Sequence, residues 1–482
     1  MRLKYALQKT SDFICAAQMY RGLRTHDQWS ATRLKGFQQE RLAALVRYSV
    51  AHSPFHRRRC GTLAASGAIE LEQLPIMDKE TMMEQFDEVV TDPRLKLREL
   101  REHLRNLMQD EYYLGEYRVL STSGSTGVPA VFVYDRRAWS TVIACLLRWS
   151  NFSGFKSRFG RRIRISSILA GSPIHATRRL IESADFELTR TQRLSASEPV
   201  NRLVSALNEF QPDVLSAYPS IASLLAIEQL DGHLRISPKL VSTGSEMRTE
   251  EMERNIRQAW GQIPFNGYGL TEAVFVACGD VFHQGMHIFD DLVIVEVVDQ
   301  NNRPVPNGTC GDKVLVTNLY NYAQPIIRYA VSDRITIATQ PCPCGRPYQT
   351  ISSIEGRSDD IIYLPGVDER EVAVHAIQFE EAIGACADVK EFQIVHEPVG
   401  IDLKVVIRGT RPREETADDL KQRLAATLAT LGVVSPEVHV EFLERIERKG
   451  ERMGKFKAIK SNVPRTASRR DQPVPVEGDA NE

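Results

Sequence analysis

Between residue 119 and about residue 300, short strand-like runs alternate with helical stretches. The segments "QPDVLSAYPSIASLLAIEQL" and "PKLVSTGSEMRTEEMERNIRQAWG" each begin as a strand and end as a helix, with a polar loop inside the second. Alternating strands and helices are typical of a sheet with helices layered on it. The pattern therefore predicts an α/β fold for the middle of the chain.

The segments around this alternating region have different patterns. Residues 1–110 are charged and mostly helical, and one helical run ends before Pro54. Residues 292–337 contain "LVIVEVVD", "KVLVTNL" and "RITIAT", which predict a small antiparallel β-barrel or sheet. Beyond "EGRSDDIIYLPG" we expect a small α+β unit, with helices at 371–385 and 413–431 and three strands.

These patterns predict a large N-terminal domain at residues 1–357, built of several subdomains with layered sheets and the small barrel region. A small α+β domain follows at residues 358–463, which is within the usual domain size. Residues 464–482 are rich in proline and polar residues, and we expect a disordered tail there.

The composition excludes several classes of protein. The chain has 482 residues and a net charge of −1, which gives no general attraction to nucleic acid. It has no run of roughly 18 apolar residues, as a membrane-spanning helix requires, and its N-terminus lacks the apolar core of a secretory signal. Eight cysteines are too few for a disulfide scaffold of this length. We therefore expect a cytoplasmic protein.

The stretch "STSGSTGVPAVFVYD", residues 121–135, combines a loop of small polar residues with a strand. Backbone N–H groups and hydroxyls in such a loop can surround phosphate oxygens, and glycine permits close approach. It is not the P-loop motif, because no lysine follows Gly127. From the loop alone, a phosphate site and a surface turn remain alternatives.

Five further polar segments follow in order along the chain: "VSTGSEMRT" (241–249), "NGYGLTEA" (266–273), "IIRYAVSDR" (326–334), "EGRSDD" (355–360) and "GERMGKFKAIK" (450–460). Together they supply what a nucleotide site requires. An aromatic ring stacks on a purine, a carboxylate binds ribose hydroxyls, hydroxyl and N–H groups bind phosphate, and a cation balances developing charge.

With these segments the chain resembles the adenylate-forming superfamily of acyl-CoA synthetases, luciferases and peptide-synthetase adenylation domains. It is most similar to the phenylacetate-CoA ligase branch and the related coenzyme F390 synthetase-like proteins. The resemblance covers roughly residues 40 to 460 and rests on motifs in the family's order: "SPFHRRR", "LEQLPIMDKE", "TSGSTGVP", "AYPSIASLLA", "STGSEM", "YGLTE", "PIIRYAVSD", "CPCGRPY", "EGRSDDII" and "GKFKAIK".

The resemblance implies roles for the matching residues. The residues that would hold the β- and γ-phosphates of ATP are Ser123, Gly124, Ser125, Thr126 and Gly127. Gly244, Ser245 and Glu246 would lie beside the adenine, and Tyr268, followed by Gly269, would stack on it.

The remaining roles concern the reacting groups and the junction between the domains. Thr271 would contact the α-phosphate, Glu272 would hold Mg²⁺, and Asp333 would bind the ribose. The residues at the junction and on the small domain are Arg357, the hinge residue Asp359, and Lys455, which would enter the site during adenylation.

The implied activity is that of an AMP-forming acid–thiol ligase. A carboxylic acid attacks the α-phosphate of ATP, giving an acyl-adenylate and pyrophosphate, and the thiol of CoA then displaces AMP. The family also implies a mobile small domain, whose lysine could leave before the second step. Acyl transfer to an amine or a carrier-protein thiol, and AMP transfer to an acceptor, remain alternatives. The oligomeric state is also left open, with a homodimer as one alternative.

The cysteines suggest a structural zinc site. "PCPCGRPY" contains Cys342 and Cys344, and "ACGDVFHQGMH" upstream contains Cys278, His283 and His287. Three thiolates and one imidazole form a closed tetrahedral zinc site, and some relatives in the branch resemble this arrangement. We expect ligation by Cys278, His283, Cys342 and Cys344, with His287 as the alternative to His283. Buried thiols beside unrelated histidines are the alternative to any metal.

Three departures from the family pattern leave the substrate open. Ser332 stands where the ribose motif usually has glycine, and the segment after the hinge lacks the Phe-Pro step. "ILAGSPIHATRRL" carries Arg178 and Arg179, which could pair with a second anionic group of the substrate. The alternative, slightly favoured, is that both are solvated at the start of a helix.

Overall fold

The structure is a computed structural model of the chain. It describes residues 2–65, 67, 69–122, 129–155, 162–169, 173–185, 189–196, 198–245, 248, 250–279, 285–354, 361–367, 370–375, 378–379, 382–383, 386, 388–407, 411–444 and 459–463. The predicted C-terminal tail lies outside these residues.

The described helices are α1 (Arg2–His26), α2 (Ala31–His52), α3 (Pro54–Ala65), α4 (Lys79–Glu84), α5 (Phe86–Val89), α6 (Leu97–Asn106), α7 (Arg136–Phe152), α8 (Ala176–Ala184), α9 (Val200–Phe210), α10 (Pro219–Leu230), α11 (Glu250–Trp260) and α12 (Arg413–Thr430). None of these helices has a stretch long and apolar enough to cross a membrane.

The described strands are β1 (Tyr117–Ser121), β2 (Val131–Asp135), β3 (Ile163–Leu169), β4 (Thr189–Ser195), β5 (Val214–Ala217), β6 (Leu240–Gly244), β7 (Phe265–Tyr268), β8 (Ala277–Cys278), β9 (Met286–Ile288), β10 (Val293–Val298), β11 (Lys313–Asn318), β12 (Tyr329–Val331), β13 (Ile335–Ile337), β14 (Thr350–Ile354), β15 (Ile361–Pro365), β16 (Glu371–His375), β17 (Val389–Glu397), β18 (Gly400–Ile407), β19 (Glu437–Phe442) and β20 (Ile459–Ser461).

The N-terminal region is helical, as the sequence predicts. Helix α2 ends at Ser53, whose backbone N–H donates to the Ser49 carbonyl, and Pro54 then begins α3. Proline is well tolerated there because the first turn of a helix leaves its N–H groups without partners. The apolar face of α2 buries Leu42, Leu45 and Val46 in a small cluster.

A nine-stranded sheet organises the middle of the chain, in the order β13-β14-β9-β8-β7-β6-β5-β3-β4. Strands β4, β3, β5, β6 and β7 are parallel, and the strands from β7 to β13 pair antiparallel. The predicted layered α/β fold is confirmed.

Both faces of the parallel strands are buried, because successive side chains point to opposite faces. Leu215 and Val241 pack in one cluster with the helices α9, α10 and α11, whereas their neighbours Val214 and Leu240 pack in the main cluster that includes α7. The carboxyl ends of these strands lead into the polar segments identified in the sequence. In open α/β sheets, ligands bind in the crevice at this end of the strands.

The predicted barrel region forms open sheets instead. Strands β10, β11 and β12 make a three-stranded antiparallel sheet, while β13 pairs with β14 in the nine-stranded sheet. Among the described strands, β13 therefore belongs to a different sheet from β10, β11 and β12, and the small sheet does not close on itself. The prediction of a β-barrel is wrong, and its alternative, a small antiparallel sheet, is what forms.

The C-terminal residues have a core of their own. Strands β19, β18, β17 and β20 form a four-stranded sheet, and α12 buries Leu420, Leu424 and Leu428 in a cluster with Ile394 and Leu403. The three strands and the second helix predicted for this region are observed close to their expected bounds, as β17, β18, β19 and α12.

The predicted helix over residues 371–385 is wrong in its first part, which is strand β16. Strands β15 and β16 form an antiparallel hairpin, in which Val372 pairs with Leu364 and Val374 with Ile362. Val374 is buried in the C-terminal core. β-Branched residues at every second position pack well on a pleated surface. Cross-strand packing against β15 therefore outweighs the helical spacing of the segment.

Candidate functional site

Close backbone packing distinguishes the end of strands β6 and β7. Gly244 lies opposite Gly267 across the parallel pair, and a Cβ atom at Gly244 would stand 2.8 Å from the Gly267 carbonyl oxygen. A Cβ atom at Gly269 would stand 2.3 Å from the carbonyl oxygen of Val274. Only glycine fits either position without moving the backbone. The glycines of the "STGSEM" and "YGLTE" segments thus permit the two loops to lie together, with Ser245 in a left-handed conformation at φ 70°.

A tight turn follows β7 and carries Thr271 and Glu272. The backbone N–H of Ala273 and that of Val274 both donate to the Leu270 carbonyl oxygen, at 3.2 Å and 2.5 Å. The N–H of Val276 then returns to the Tyr268 carbonyl oxygen at 3.0 Å. Thr271 and Glu272 therefore project from a closed loop rather than from an open chain.

Three side chains from other parts of the fold support this turn, and each donates to a different carbonyl oxygen. The Tyr134 hydroxyl donates to Thr271 at 2.6 Å, Asn318 Nδ2 to Glu272 at 3.0 Å, and the Tyr320 hydroxyl to Ala273 at 2.5 Å. Tyr134, Asn318 and Tyr320 are all buried. We call these three residues the carbonyl clamp. Because buried backbone carbonyls require partners, the clamp fixes the turn and with it the direction of the Glu272 side chain.

Glu272 is itself buried, with 8% of its surface exposed. Its charge acts on two neighbouring phenols. Burial and then the Glu272 carboxylate raise the pKa of Tyr134 well above its usual value, and the same two causes raise the pKa of Tyr329. Both hydroxyls are therefore fully protonated at neutral pH, so that Tyr134 remains a donor to the turn. A buried carboxylate at the carboxyl end of a strand suits a hard cation such as Mg²⁺.

Tyr268 and Asp333 meet in space. The hydroxyl of Tyr268 donates to Oδ2 of Asp333 at 2.8 Å, and both residues are buried. The two motifs that the resemblance assigns to adenine and ribose are thus in direct contact.

Arg328 holds the strand that leads to Asp333. It has a positive φ of 46°, which is strained for a residue other than glycine. Its guanidinium pairs with both carboxylate oxygens of Glu296, at 2.8 Å and 3.0 Å, and donates to the carbonyls of Glu72 and Leu74. These bonds anchor the "LEQLPIMDKE" segment against β12, where Met77 bridges to Tyr329.

Several predicted site residues lie outside the described residues: Ser123, Gly124, Ser125, Thr126, Gly127, Glu246, His283, Arg357, Asp359 and Lys455. The base of the predicted phosphate loop is described, however. The backbone N–H of Thr122 donates to the Ala130 carbonyl at 3.0 Å, and the N–H of Ala130 donates to the Thr122 hydroxyl at 2.9 Å. The predicted phosphate loop is therefore the connection between the two strands of the β1–β2 hairpin.

The arginines considered for a substrate anion are both engaged within the protein. Arg179 is fully buried, lies 3.2 Å from Asp110 and donates to the carbonyls of Gln109 and Glu111. Arg178 pairs with Glu182 one helical turn away. Arg179 therefore attaches α8 to the neighbouring segment 109–111, whereas the pair between Arg178 and Glu182 lies within the helix.

A possible set of metal ligands lies at the antiparallel end of the nine-stranded sheet. One ligand atom from each of His287, Cys342 and Cys344 lies within 4.8 Å of the others, and Cys344 Sγ is 3.5 Å from His287 Nε2. A sulfur and a nitrogen bound to one tetrahedral zinc, with bonds of ~2.3 and ~2.1 Å, would stand about 3.6 Å apart. The observed separation fits a shared ion.

The fourth position has two candidates. Cys278 pairs directly with His287 across strands β8 and β9, and residues paired in this way have their side chains on the same face of a sheet. His283 lies outside the described residues. The structure thus brings the alternative ligand His287 to the two cysteines, and the choice of Cys278 and His283 stays a prediction.

Sequence reasoning missed the carbonyl clamp and Arg328. Tyr134 and Asn318 stand at strand ends, and Tyr320 lies two residues beyond β11, 47 positions from the carbonyl that it binds. No local pattern marks a residue that acts at such a distance along the chain. For Arg328 a signal did exist, since an arginine inside the apolar run "PIIRYAV" must find partners if it is buried.

The chain is similar in sequence to known enzymes. No family model matches the chain. Phenylacetate-coenzyme A ligase of Thermus thermophilus is 28% identical over 367 residues, covering 72% of this chain and 75% of the relative. The enzyme of the same name from Pseudomonas putida is 27% identical over 317 residues, covering 61% of this chain and 67% of the relative.

A solved structure extends the likeness to nearly the whole chain. The 2-hydroxyisobutyryl-CoA ligase, in complex with 2-HIB-AMP and CoA in the thioesterification state, superposes with a TM-score of 0.60 at 20% identity, covering 90% of this chain and 91% of that one. These relatives support the resemblance of the chain to acyl-CoA ligases of the adenylate-forming superfamily, and the solved structure shows that it shares their fold. In this chain the "YGLTE" and "PIIRYAVSD" segments meet through the bond between Tyr268 and Asp333, as two parts of one nucleotide site would.

Proposed function

We propose that the protein activates a carboxylic acid with ATP and passes the acyl group to the thiol of CoA. The observation that carries this proposal is the contact between Tyr268 and Asp333 beside the clamped turn of Glu272. An aromatic ring, a ribose-binding carboxylate and a metal-binding carboxylate are the parts that an adenylate requires. The relatives named as phenylacetate-CoA ligases and the solved acyl-CoA ligase support the choice of reaction.

In the first half-reaction a carboxylate oxygen of the acid would bond to the α-phosphorus of ATP while the bond to pyrophosphate breaks. Negative charge gathers on the phosphate oxygens as this happens, so groups that act where the charge develops lower the barrier. The Thr271 hydroxyl would donate to an α-phosphate oxygen. Lys455 would contribute a positive charge from the C-terminal region.

The nucleotide would be held by residues on both sides of the turn. Tyr268 would stack on the adenine while its hydroxyl orients Asp333 toward the ribose hydroxyls. Gly244, Ser245 and Glu246 would line the adenine edge, with Gly269 permitting close approach of the backbone. The β- and γ-phosphates would be bound by Ser123, Gly124, Ser125, Thr126 and Gly127, and Arg357 would lie at the junction beside the hinge residue Asp359.

Glu272 would hold the Mg²⁺ ion, because its buried carboxylate is a hard oxygen ligand. When bound, the ion supplies positive charge to the phosphate oxygens of ATP. The clamp keeps the backbone of this residue in place, so the carboxylate is oriented before the nucleotide arrives.

In the second half-reaction the sulfur of CoA would bond to the acyl carbonyl carbon, the bond to AMP would break, and the thiol proton would pass to solvent or a base. For this step we infer that residues 358–463 form a small domain that moves relative to residues 1–357. The separate apolar core around Ile394 and Leu424 supports a unit of this kind. A protein that uses ATP and CoA in this way would reside in the cytoplasm.

We further propose a structural zinc site at Cys278, His287, Cys342 and Cys344. The fit of the Sγ–Nε2 distance to a tetrahedral ion and the cross-strand position of Cys278 support this set. Four protein ligands would close the site to substrate. The ion would join the β8–β9 hairpin, next to the catalytic turn, to the segment that follows β13.

The test is exchange of labelled pyrophosphate into ATP, assayed with a panel of aryl, aliphatic, hydroxy and dicarboxylic acids. We expect one class of acid to support exchange, and addition of CoA to convert that acid into a thioester visible by chromatography. Lys455→Ala and Glu272→Ala should abolish most of the exchange, while Lys457→Ala, two positions from Lys455, should not. Absence of exchange with every acid, in protein that still binds ATP, would contradict the proposal.

A further inference from the structure

A half-open cleft of about 520 Å³ lies between α1, α2 and α7, and its described lining includes no residue of the predicted nucleotide site. Pockets that bind small organic ligands have volumes of roughly 300–1,000 Å³. The cleft is therefore large enough for a molecule of about the size of a fatty or aromatic acid. Its lining shares only Asp135 with the stretch 121–135 and only Tyr320 with the carbonyl clamp.

The inner part of the cleft is apolar. Leu23 from α1 and Leu292 before β10 are buried, and Met19 is packed against the main core beside them. The ring of Tyr320 also lines the cleft, and its hydroxyl donates to the Ala273 carbonyl oxygen. This lining favours the apolar body of a ligand and offers it few hydrogen bonds.

The outer part of the cleft carries positive charge. Arg41 and Arg137 both line the cleft, and neither forms an ion pair with any described residue. Arg41 donates one bond, of 3.1 Å, to the Leu319 carbonyl, and its guanidinium lies 5.8 Å from the ring centre of Tyr322. A guanidinium has five N–H donors, so most of the donors of both arginines remain for a ligand.

The other charged groups of the lining are already used. The Asp135 carboxylate accepts the backbone N–H of Ala138 at 2.7 Å and so caps α7. His26 pairs with the buried carboxylate of Asp291 at 2.7 Å. Since the only acid in the described lining is committed to a helix cap, the two arginines give the mouth of the cleft a net positive charge.

We propose that this cleft binds an amphipathic organic anion, with its carboxylate, sulfonate or phosphate group between Arg41 and Arg137 and its apolar body against Leu23 and Met19. A ligand in this position would touch the Tyr320 ring, and so one member of the carbonyl clamp. Binding in this cleft does not depend on which acid the enzyme activates. It requires only the arginines and the apolar floor.

The probe is 8-anilinonaphthalene-1-sulfonate, titrated by fluorescence into the full chain with saturating ATP present, so that the nucleotide site is filled. We expect saturable binding to one site. Arg41→Gln and Arg137→Gln should each weaken binding about tenfold, as expected for the loss of a hydrogen bond to a charged group. Arg254→Gln, at an exposed arginine on α11 outside the lining, should leave binding unchanged.

A pair of glycine substitutions tests the place of binding. Gly22 lines the cleft on α1, and Gly36 lies on α2 outside the lining. At both positions a new Cβ atom meets nothing within 4 Å. Gly22→Phe should fill the cleft and abolish binding of the probe, whereas Gly36→Phe should not.

Two results would overturn the proposal. The first is unchanged binding of the probe to Gly22→Phe and to both arginine variants. The second result concerns competition for the cleft. Decanoate and phenylacetate should displace the probe, and the concentrations that they require distinguish a preference for an aliphatic body from one for an aromatic body. Inorganic phosphate lacks an apolar body, and equal displacement by it would show that the cleft does not select amphipathic anions.

Discussion

The hydroxyl of Tyr268 donates to Oδ2 of Asp333 at 2.8 Å, although the two residues are 65 positions apart in the chain. The bond holds the phenol of Tyr268 against the carboxylate of Asp333. Because both side chains are buried, the pair is arranged before ATP binds rather than by it. Pre-arrangement of this kind reduces the entropy that binding must overcome.

Tyr268→Phe should therefore raise the KM for ATP about tenfold, because it removes a hydrogen bond to a charged group but keeps the stacking ring. Steady-state pyrophosphate exchange measures this. Tyr363→Phe is a suitable control, since Tyr363 lies in the β15–β16 hairpin. A KM for ATP in Tyr268→Phe equal to that of the unmodified protein would mean that the hydroxyl does not orient the ribose ligand.

Glu272→Gln keeps the size of the side chain and removes its charge. We expect the rate of adenylation to fall by about 10²–10³-fold, the range seen when one preorganised electrostatic contact is lost. Raising the Mg²⁺ concentration should recover part of the rate. Glu209→Gln, at an exposed position on α9, serves as the control. A Glu272→Gln enzyme with unchanged rate and unchanged Mg²⁺ dependence would remove this residue from the metal site.

The carbonyl clamp can be tested through Tyr320→Phe, which deletes one hydroxyl and leaves the ring in place. The Ala273 carbonyl loses its donor, so the turn that bears Glu272 becomes less well fixed. We expect kcat to fall about fivefold to tenfold, because small misplacements of catalytic groups are costly, with little change in the melting temperature. Tyr322→Phe, two residues along the chain, should leave kcat unchanged. If both variants behave alike, the clamp does not position the turn.

The sequence predicts the parts of this site better than the way they are held. The glycines, Tyr268, Glu272 and Asp333 stand in short motifs whose order marks the superfamily, and the alternation of strands and helices places them at one edge of a sheet. Tyr134 and Asn318 act on the turn from 137 and 46 positions away. Their role depends on the packing of separate strands, which residue patterns along the chain do not reveal.

The errors in the fold have a similar origin. The run "EVAVHAI" has apolar residues at both strand and helix spacing, and the presence of β15 beside it decides the outcome in favour of a strand. In the same way, "RITIAT" is a clear strand, but nothing in it states which sheet it joins. It pairs with β14 rather than with β12, and so the predicted barrel does not close.

Purified protein should contain about one zinc ion per chain by elemental analysis, as expected for one closed tetrahedral site. Cys344→Ser should lose the metal and lower the melting temperature, since the segment after β13 would no longer be joined to the β8–β9 hairpin. Cys15→Ser is the matched control, because Cys15 is a half-buried free cysteine like Cys344. Cys278→Ser distinguishes the two candidate fourth ligands: retention of zinc would favour His283.

His56 makes the stability of the N-terminal region depend on pH. Burial lowers the pKa of this imidazole from 6.5 to about 4, and its Nε2 atom is 3.2 Å from the Pro325 carbonyl oxygen. Because the folded pKa is below the unfolded one, the folded state binds protons less readily than the unfolded state. The stabilisation is fully present above pH 6.5 and is lost as the pH falls from 6.5 to about 4.

This group contributes up to about 3 kcal/mol across that range, at ~1.4 kcal/mol for each unit of pKa difference. His56→Gln keeps an N–H donor for the Pro325 carbonyl but cannot be protonated, so its unfolding midpoint should fall less between pH 7 and pH 4.5 than that of the unmodified protein. His52→Gln, at an exposed position on α2, should leave the pH dependence as it was. If the unfolding midpoint of His56→Gln depends on pH as steeply as that of His52→Gln, the acid sensitivity of the fold arises from another group.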